Sequence, residues 1–315
     1  MRVAIVGAGS LGSVFGGMLA LGGSEVFLIS RHREYIEQVN LNGLRLIEDS
    51  GERVTWPRVT NDPGSVETVD LVIVLVKSFD TREAMISASS LVGAETTVLS
   101  LQNGLGNEEV LADLFGWPKV LYGRTFVGGD SIAPGQVVTG LRNKLTIVGE
   151  VDGGHSPRVT EISNLFNSSG LLTEVSINIL GVVWNKLLVN VSTGALAGVT
   201  GLPYGDLYRV PELMGTGVAA VNEGIAVARA MGIPLPTDDA EEIWLSAGRG
   251  QPTSFRTSIL QSLDRRSKTE IDFINGAVVR LGKEAGVPTP VNEALVACVK
   301  GLEYNNALHL GDMTF

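Results

Sequence analysis

The chain has 315 residues, enough to bury a sizeable core, and this length makes two domains the default expectation. Its 34 acidic and 24 basic residues give a formal net charge of -10, and no run of Lys or Arg stands out, which argues against a nucleic-acid partner. The single cysteine, Cys298, excludes an internal disulfide framework and suits a reducing cytoplasm, and His32, His155 and His309 lack the spacing of metal ligands.

The first half of the chain alternates short apolar runs with helix-compatible stretches. Four strands are predicted, over residues 2–9, 24–31, 69–77 and 96–104. Their Val, Ile and Leu runs lack polar alternation, which indicates strands that are covered on both faces, as in a parallel sheet. With the helices between them they form a βαβ pattern, so this half is predicted to be an α/β domain.

The pattern changes from residue 119 to residue 149. Three short strands joined by Pro and Gly turns are predicted there, as antiparallel additions at the sheet edge. A helix around 157–169 and the run GLLTEVSI (170–177) would close the first domain near residue 177. After that point the strand signal disappears, and helices ending at glycine are predicted over 213–233 and 271–287.

One stretch, residues 187–205, contains no charge and raises the question of a membrane span. It also contains Asn190, Ser192, Thr193, a proline and four glycines, so it is a poor match to a span of about 20 predominantly apolar residues. At the N-terminus, glycine comes too early for the apolar core of a signal peptide. We therefore predict a soluble, cytoplasmic protein with no membrane partner.

Gly7, Gly9 and Gly12 form a GxGxxG motif, with Ser10 and Leu11 between the last two glycines. In a chain with 39 glycines this spacing alone is weak evidence. Its position between a predicted strand and a predicted helix makes it strong. The first glycine permits a tight turn, the second allows pyrophosphate to approach, and the third lets helix and strand pack closely. A dinucleotide site is favoured over a purely structural turn, and the first domain is predicted to be of Rossmann type.

The end of the second strand distinguishes the two nicotinamide cofactors. A carboxylate there would bind the ribose 2'-hydroxyl of NAD, whereas an arginine favours the 2'-phosphate of NADP. The sequence has Ser30 and Arg31 at this place, followed by Arg33, which could assist but is more simply a solvated side chain. NADP (NADPH) is therefore the predicted cofactor.

The chain resembles the ketopantoate reductase (2-dehydropantoate 2-reductase) family along nearly its whole length. The matching segments are VGAGSLGS, Arg31, VLVKSFDT, LQNGLGNEE, VWNKLLVN and TSILQSLDRRSKTEIDFINGAVV. The resemblance implies a Rossmann domain over residues 1–177, an all-helical domain over 178–315, and an active site in the cleft between them. It implies NADPH-dependent reduction of a 2-oxo acid to a 2-hydroxy acid, with ketopantoate in pantothenate biosynthesis as the leading substrate. It leaves the assembly open between monomer, homodimer and larger forms.

The resemblance also assigns roles to individual residues. Lys186 would be the general acid, and Glu270 would lie near a substrate hydroxyl or near Lys186. Cofactor contacts are implied for Gly7, Gly9, Ser10, Leu11, Gly12, Arg31, Lys77 and Asn103, and substrate contacts for Asn103, Asn190 and Ser258.

The residue types make chemical sense of these roles. A ketone that accepts hydride needs a proton donor, and a partly buried lysine, whose pKa is lowered, can supply the proton near neutral pH. Simpler explanations exist for each residue: Lys186 could reach the surface from a buried helix, and Glu270 could belong to a helix first turn capped by Thr269. Their joint occurrence in the family order favours the functional interpretation.

Two positions depart from the family pattern. Gly194 stands where the family continues the lysine helix with an asparagine, and Tyr204 stands where another asparagine is common. Losing such amides can change substrate discrimination by orders of magnitude. A different, branched or aromatic 2-oxo acid is therefore an alternative substrate, and a dehydrogenase running in the oxidative direction is a second alternative. A non-catalytic NADP-binding sensor is the third.

Overall fold

The computed structural model describes residues 1–310, and the chain forms two compact units. Unit 1 consists of Met1–Gln102 and Asn107–Ile179. Unit 2 consists of the chain from Leu180 onward together with the short segment Asn103–Gly106. Unit 1 is α/β and the described part of unit 2 is helical, so the predicted fold class is confirmed.

Unit 1 contains all the strands of the described chain. They are β1 (Arg2–Val6), β2 (Glu25–Ile29), β3 (Leu44–Glu48), β4 (Gly51–Thr55), β5 (Arg58–Thr60), β6 (Val69–Val74), β7 (Val92–Ser100), β8 (Val120–Thr125), β9 (Gly128–Ala133), β10 (Gln136–Gly140), β11 (Thr146–Glu150) and β12 (Thr173–Val175). Eight of them form one sheet in the order β12-β11-β8-β7-β6-β1-β2-β5. The predicted strands β1, β2, β6 and β7 are confirmed, and they pair in parallel.

The prediction of antiparallel additions over residues 119–149 is only partly right. β11 is antiparallel to β8, as predicted, but β8 itself runs parallel to β7 and extends the main sheet. β9 and β10 leave that sheet and join β3 and β4 in a second sheet, in the order β4-β3-β10-β9. The second sheet was not predicted, although the alternation in LRLIE before the turn at residues 49–50 is typical of a half-buried hairpin strand.

Five helices cover the main sheet. They are α1 (Ser10–Leu21), α2 (Arg33–Asn42), α3 (Thr81–Ser87), α4 (Asn107–Phe115) and α5 (Pro157–Ser168). β1 shows why its run is continuously apolar: Val3 and Ile5 belong to the cluster that contains α1 and α5, whereas Ala4 and Val6 belong to the cluster that contains α3 and α4. A strand buried on both faces needs apolar residues at every position.

Unit 2 is built from α6 (Ile179–Thr200), α7 (Tyr204–Leu207), α8 (Pro211–Ala230), α9 (Ala240–Gly248), α10 (Ser258–Asp264), α11 (Asn275–Ala285) and α12 (Pro290–Leu310). α6 is long and apolar enough to cross a membrane, but 67% of its most apolar stretch is buried inside the protein, as in the core helix of a globular domain. The helix predicted over 271–287 is shorter than expected, because Ile271–Phe273 is a separate 3-10 turn. It ends as predicted, at the left-handed Gly286.

Candidate active site

The glycine turn after β1 has the geometry that the motif predicts at its first and third positions. Gly7 has a φ of +106°, and a Cβ atom added there would lie 2.5 Å from the backbone nitrogen of Val76. A Cβ atom on Gly12 would lie 2.1 Å from the carbonyl oxygen of Gly7. These two glycines are therefore required by the protein itself, for the turn and for the contact between α1 and the turn.

Gly9 differs from Gly7 and Gly12. Apart from its own chain neighbours, no atom lies within 4 Å of a Cβ added there. Gly9 is exposed and is the N-cap residue of α1, and as a glycine it has no side chain that could accept the first N–H groups of the helix. The N-terminus of a helix offers such donors and a favourable dipole to an anion. The open space and the helix N-terminus together fit the pyrophosphate of a dinucleotide.

The loops after β2 and β6 carry the two predicted cofactor cations. Lys77 is exposed after β6, and Arg31 is exposed after β2, where its Nη2 lies 3.1 Å from Asp80 Oδ2. Ser30 is buried and accepts a hydrogen bond from the backbone N–H of His32. Arg33 pairs with Glu37 along α2, in agreement with a solvated side chain. The end of β2 thus has a cation and no carboxylate of its own.

A buried polar network holds the loops after β6 and β7 together. The side-chain amide of Gln102 donates to the carbonyl of Val76 at 2.9 Å and to the hydroxyl of Thr81 at 2.8 Å. Thr81 in turn donates to the side-chain carbonyl of Asn107, which lies at the start of α4, at 3.0 Å. This network fixes the backbone next to Lys77. Sequence reasoning missed it, although polar residues directly after buried strands are a usable signal.

Arg124 is a second residue that sequence reasoning missed. It lies at the carboxyl end of β8 and is only 9% exposed. Burial lowers the pKa of its guanidinium to about 10, so it stays cationic at neutral pH, and the group lies 4.0 Å from the centre of the Phe126 ring. Because β8 is parallel to β7, Arg124 adds a positive charge at the carboxyl edge of the sheet, where such folds bind ligands.

In unit 2, α6 and the start of α10 lie next to each other. Lys186 and Asn190 are half-buried and one turn apart on α6. Thr257 is the N-cap of α10, and its hydroxyl donates to the carbonyl of Gly194, the next residue of the same α6 row, at 3.5 Å. Ser258, the first residue of α10, is exposed. The structure therefore brings the end of the Lys186 row close to Ser258.

Gly194 and Tyr204, the two departures from the family pattern, pack against the protein. A Cβ atom on Gly194 would lie 3.3 Å from Ile259 Cδ1. Tyr204 is 7% exposed; its hydroxyl shares a hydrogen bond of 3.0 Å with Thr193, and its ring lies 4.8 Å from that of Phe255. Tyr204 thus fills space inside unit 2 with its ring, rather than presenting the ring as an exposed aromatic surface.

Glu270 is 5% exposed and directly precedes the 3-10 turn. The residue before it, Thr269, is anchored by Glu303, whose Oε1 accepts from the Thr269 backbone N–H at 2.7 Å and hydroxyl at 2.6 Å. At the other end of the turn, the carbonyl of Phe273 accepts from the backbone N–H of Leu105 at 3.0 Å. Leu105 is thus hydrogen-bonded to the 3-10 turn that Glu270 precedes.

Among the described side chains, residues 1–308, no group of three or more His, Cys, Asp and Glu is arranged to hold a metal ion. The side chain of His309, the last of the three histidines, lies outside the described ones.

Comparison with known proteins identifies the family. The family described as ketopantoate reductase PanE/ApbA matches residues 3–153, and its C-terminal part, ketopantoate reductase PanE/ApbA C terminal, matches residues 178–303. The chain belongs to the ketopantoate reductase family. It is accordingly an oxidoreductase, and the resemblance inferred from the sequence motifs is confirmed.

Several known proteins are similar to the chain over nearly their whole length. The 2-dehydropantoate 2-reductase of Halobacterium salinarum is 36% identical, over 95% of this chain and 98% of the relative. The crystal structure of a PanE/ApbA family ketopantoate reductase from Ralstonia eutropha JMP134 is 34% identical, with a TM-score of 0.88, 97% of this chain covered and 99% of that chain. A D-mandelate dehydrogenase in ternary complex with NADH and anilino(oxo)acetate is 26% identical, with a TM-score of 0.90 and the same coverage.

Proposed function

We propose that the chain reduces 2-dehydropantoate to pantoate with NADPH, as a step of pantothenate biosynthesis. The observation that carries the proposal is the full-length similarity to a 2-dehydropantoate 2-reductase, at 36% identity over 95% of the chain. A soluble enzyme acting in the cytoplasm on a small-molecule acid agrees with this family.

The glycine turn and the cations at the sheet edge form the proposed NADPH site. The open space at Gly9 and the N-terminus of α1, with Ser10 and Leu11 in its first turn, would hold the pyrophosphate. Arg31 would bind the 2'-phosphate, because a guanidinium pairs well with phosphate oxygens. Lys77 and Asn103 would complete the site near the nicotinamide.

The chemistry proposed for unit 2 is proton transfer and orientation. When bound, NADPH supplies a hydride to the ketone carbon of the substrate. Lys186 would donate a proton to the substrate oxygen, and the buried Glu270 would hold the ammonium in position. Asn190, one turn further along α6, and Ser258, at the start of α10, would hydrogen-bond the substrate.

The second candidate function is reduction of a branched or aromatic 2-oxo acid. Two observations favour it: the family amides are absent at Gly194 and Tyr204, and a D-mandelate dehydrogenase has the same fold with a TM-score of 0.90. The packing of both positions weakens it, because the space at Gly194 is bounded by Ile259 and the Tyr204 side chain is buried.

The test is NADPH oxidation by the purified protein with a panel of 2-oxo acids that includes 2-dehydropantoate and an aromatic acid. Turnover confined to 2-dehydropantoate supports the proposal, and a higher kcat/KM for another acid supports the second candidate.

Lys186→Ala should lower kcat by about 10²- to 10⁴-fold and leave NADPH binding unchanged. The matched control is Lys283→Ala, at an exposed lysine on α11. NADPH binding without turnover of any panel acid would indicate a sensor.

A further inference from the structure

The ion pair between Arg31 and Asp80 crosses the proposed dinucleotide site. Arg31 follows β2, and Asp80 ends the 3-10 segment Ser78–Asp80 that follows β6. β2 and β6 are the two neighbours of β1 in the sheet. A contact of 3.1 Å between residues that follow these two strands therefore bridges the carboxyl end of β1. The turn at Gly7 lies between the same two strand ends, since Gly7 donates to the carbonyl of Ile29 and packs against the backbone of Val76.

The two partners differ in how firmly they are held. The side chain of Asp80 is 25% exposed, whereas that of Arg31 is 77% exposed. Asp80 donates its backbone N–H to the carbonyl of Lys77 at 2.8 Å, and it is followed by the buried Thr81 of the polar network. The carboxylate is thus the fixed partner, and the long guanidinium side chain is the one that can turn toward a ligand.

This arrangement supplies the carboxylate that the end of β2 lacks. In NAD-binding folds of this type, an acidic residue at the end of the second strand accepts a hydrogen bond from the ribose 2'-hydroxyl. Here Ser30 occupies that place, and a carboxylate reaches the same edge of the sheet from the far side of β1. A 2'-phosphate would take Arg31 from Asp80 and would bring its own negative charges close to the carboxylate.

We propose that Asp80 is a cofactor-specificity residue, which weakens the preference for NADPH and allows the enzyme to bind NADH as well. The proposal rests on the proposed dinucleotide site and deepens it. With NADH, Arg31 keeps its partner and the ribose hydroxyl donates to Asp80. With NADPH, the gain from the Arg31–phosphate contact is reduced by repulsion from Asp80.

The test measures the dissociation constants of NADPH and NADH, by quenching of dinucleotide fluorescence, without any 2-oxo acid. Asp80→Asn should raise the ratio of NADPH affinity to NADH affinity by about tenfold, since it removes a repulsion and a charged acceptor together. Asp80→Ser should act in the same direction. The matched control is Asp113→Asn, which removes an exposed ion pair with Arg82 between α3 and α4, and should leave the ratio unchanged.

The outcomes separate this proposal from the proposed function. An unchanged ratio in both Asp80 variants, with normal thermal unfolding, overturns the role of Asp80 and leaves the reductase proposal intact. Wild-type protein that binds neither dinucleotide overturns both proposals. A shifted ratio in a protein that reduces no 2-oxo acid supports the role of Asp80 and contradicts the reductase.

Discussion

Glycines serve different purposes in the two units. In unit 1, Gly9 leaves open space that fits a ligand, whereas Gly7 and Gly12 make room for neighbouring backbone. In unit 2, Gly194 makes room for Ile259, a side chain 65 positions later in the chain. A glycine at a turn can therefore be interpreted from its local spacing, but a glycine inside a helix can be interpreted only once its packing partner is known.

The largest effect should come from Gly12→Ala, compared with Gly9→Ala in the same turn. The Cβ atom that Gly12→Ala adds would meet the carbonyl oxygen of Gly7 at 2.1 Å, and a backbone atom cannot rotate away. We expect Gly12→Ala to lower the free energy of unfolding by about 3 kcal/mol. Gly9→Ala should change it by less than about 0.5 kcal/mol, yet should weaken NADPH binding strongly, because the methyl group enters the proposed pyrophosphate space. Denaturant unfolding and NADPH titration measure the two effects.

The two variants should thus separate stability from cofactor binding: Gly12→Ala mainly loses stability, and Gly9→Ala mainly loses NADPH affinity. Equal losses of stability would mean that Gly9 has a structural role in the turn. Unchanged NADPH affinity in Gly9→Ala would contradict the proposal that the pyrophosphate binds next to Gly9.

The difference between local and long-range contacts explains how far the sequence could predict the structure. β1, the GxGxxG turn and α1 are adjacent in the chain, so their arrangement follows from local spacing. The pairing of β3 with β10 joins segments about 90 residues apart, and no local pattern specifies it. In the site, Lys186 and Asn190 share a helix face and were predictable as a pair, but the contact of Leu105 with Phe273 was not, because it joins distant loops.

The second prediction concerns the edge of unit 1. Glu150 accepts hydrogen bonds from Arg158 at 2.8 Å and 2.5 Å and one from Ser156, and its side chain is 11% exposed. Burial raises the pKa of the Glu150 carboxyl, but these hydrogen bonds outweigh burial, and the pKa is lowered. Glu150→Gln should therefore lower the free energy of unfolding by about 2 kcal/mol at pH 7.

The contribution of Glu150 to stability depends on pH. A lowered pKa in the folded state means that Glu150 stabilises the fold above the unfolded glutamate pKa of about 4.3, and that this stability is lost as pH falls through the folded value. The gap between wild type and Glu150→Gln should thus close below pH 4. The matched control in unit 2 is Glu242→Gln, whose pair with Arg249 is solvent-exposed and should contribute much less to stability than the Glu150 contacts. Equal losses of stability in Glu150→Gln and Glu242→Gln would mean that burial does not strengthen the contacts of Glu150.

The third prediction tests whether the family amide fits at position 194. Asparagine there would push against Ile259, since even a Cβ atom lies 3.3 Å from its Cδ1. We expect Gly194→Asn to lower the free energy of unfolding by about 1.5 kcal/mol and to bring no gain in kcat/KM for 2-dehydropantoate. Gly194→Asn combined with Ile259→Ala should lose less stability than the sum of the two single variants, because the shortened side chain leaves space for the asparagine. A gain in kcat/KM by the single variant would instead place residue 194 against the substrate.

The smallest effect is expected at Tyr204. The question there is whether a single hydroxyl group contacts the protein or the substrate. Burial raises the pKa of the Tyr204 phenol, although the hydrogen bond with Thr193 opposes this, so the hydroxyl is neutral at neutral pH. Tyr204→Phe removes one buried hydrogen bond and should lower the free energy of unfolding by about 1 kcal/mol. Thr193→Val removes the same bond from the other side, and the double variant should lose less than the sum of the two. If kcat/KM for 2-dehydropantoate stays constant in all three variants, the Tyr204 hydroxyl serves only to hold Tyr204 against α6. A fall in kcat/KM for Tyr204→Phe alone would mean that the hydroxyl reaches the substrate and takes the place of the missing family amide.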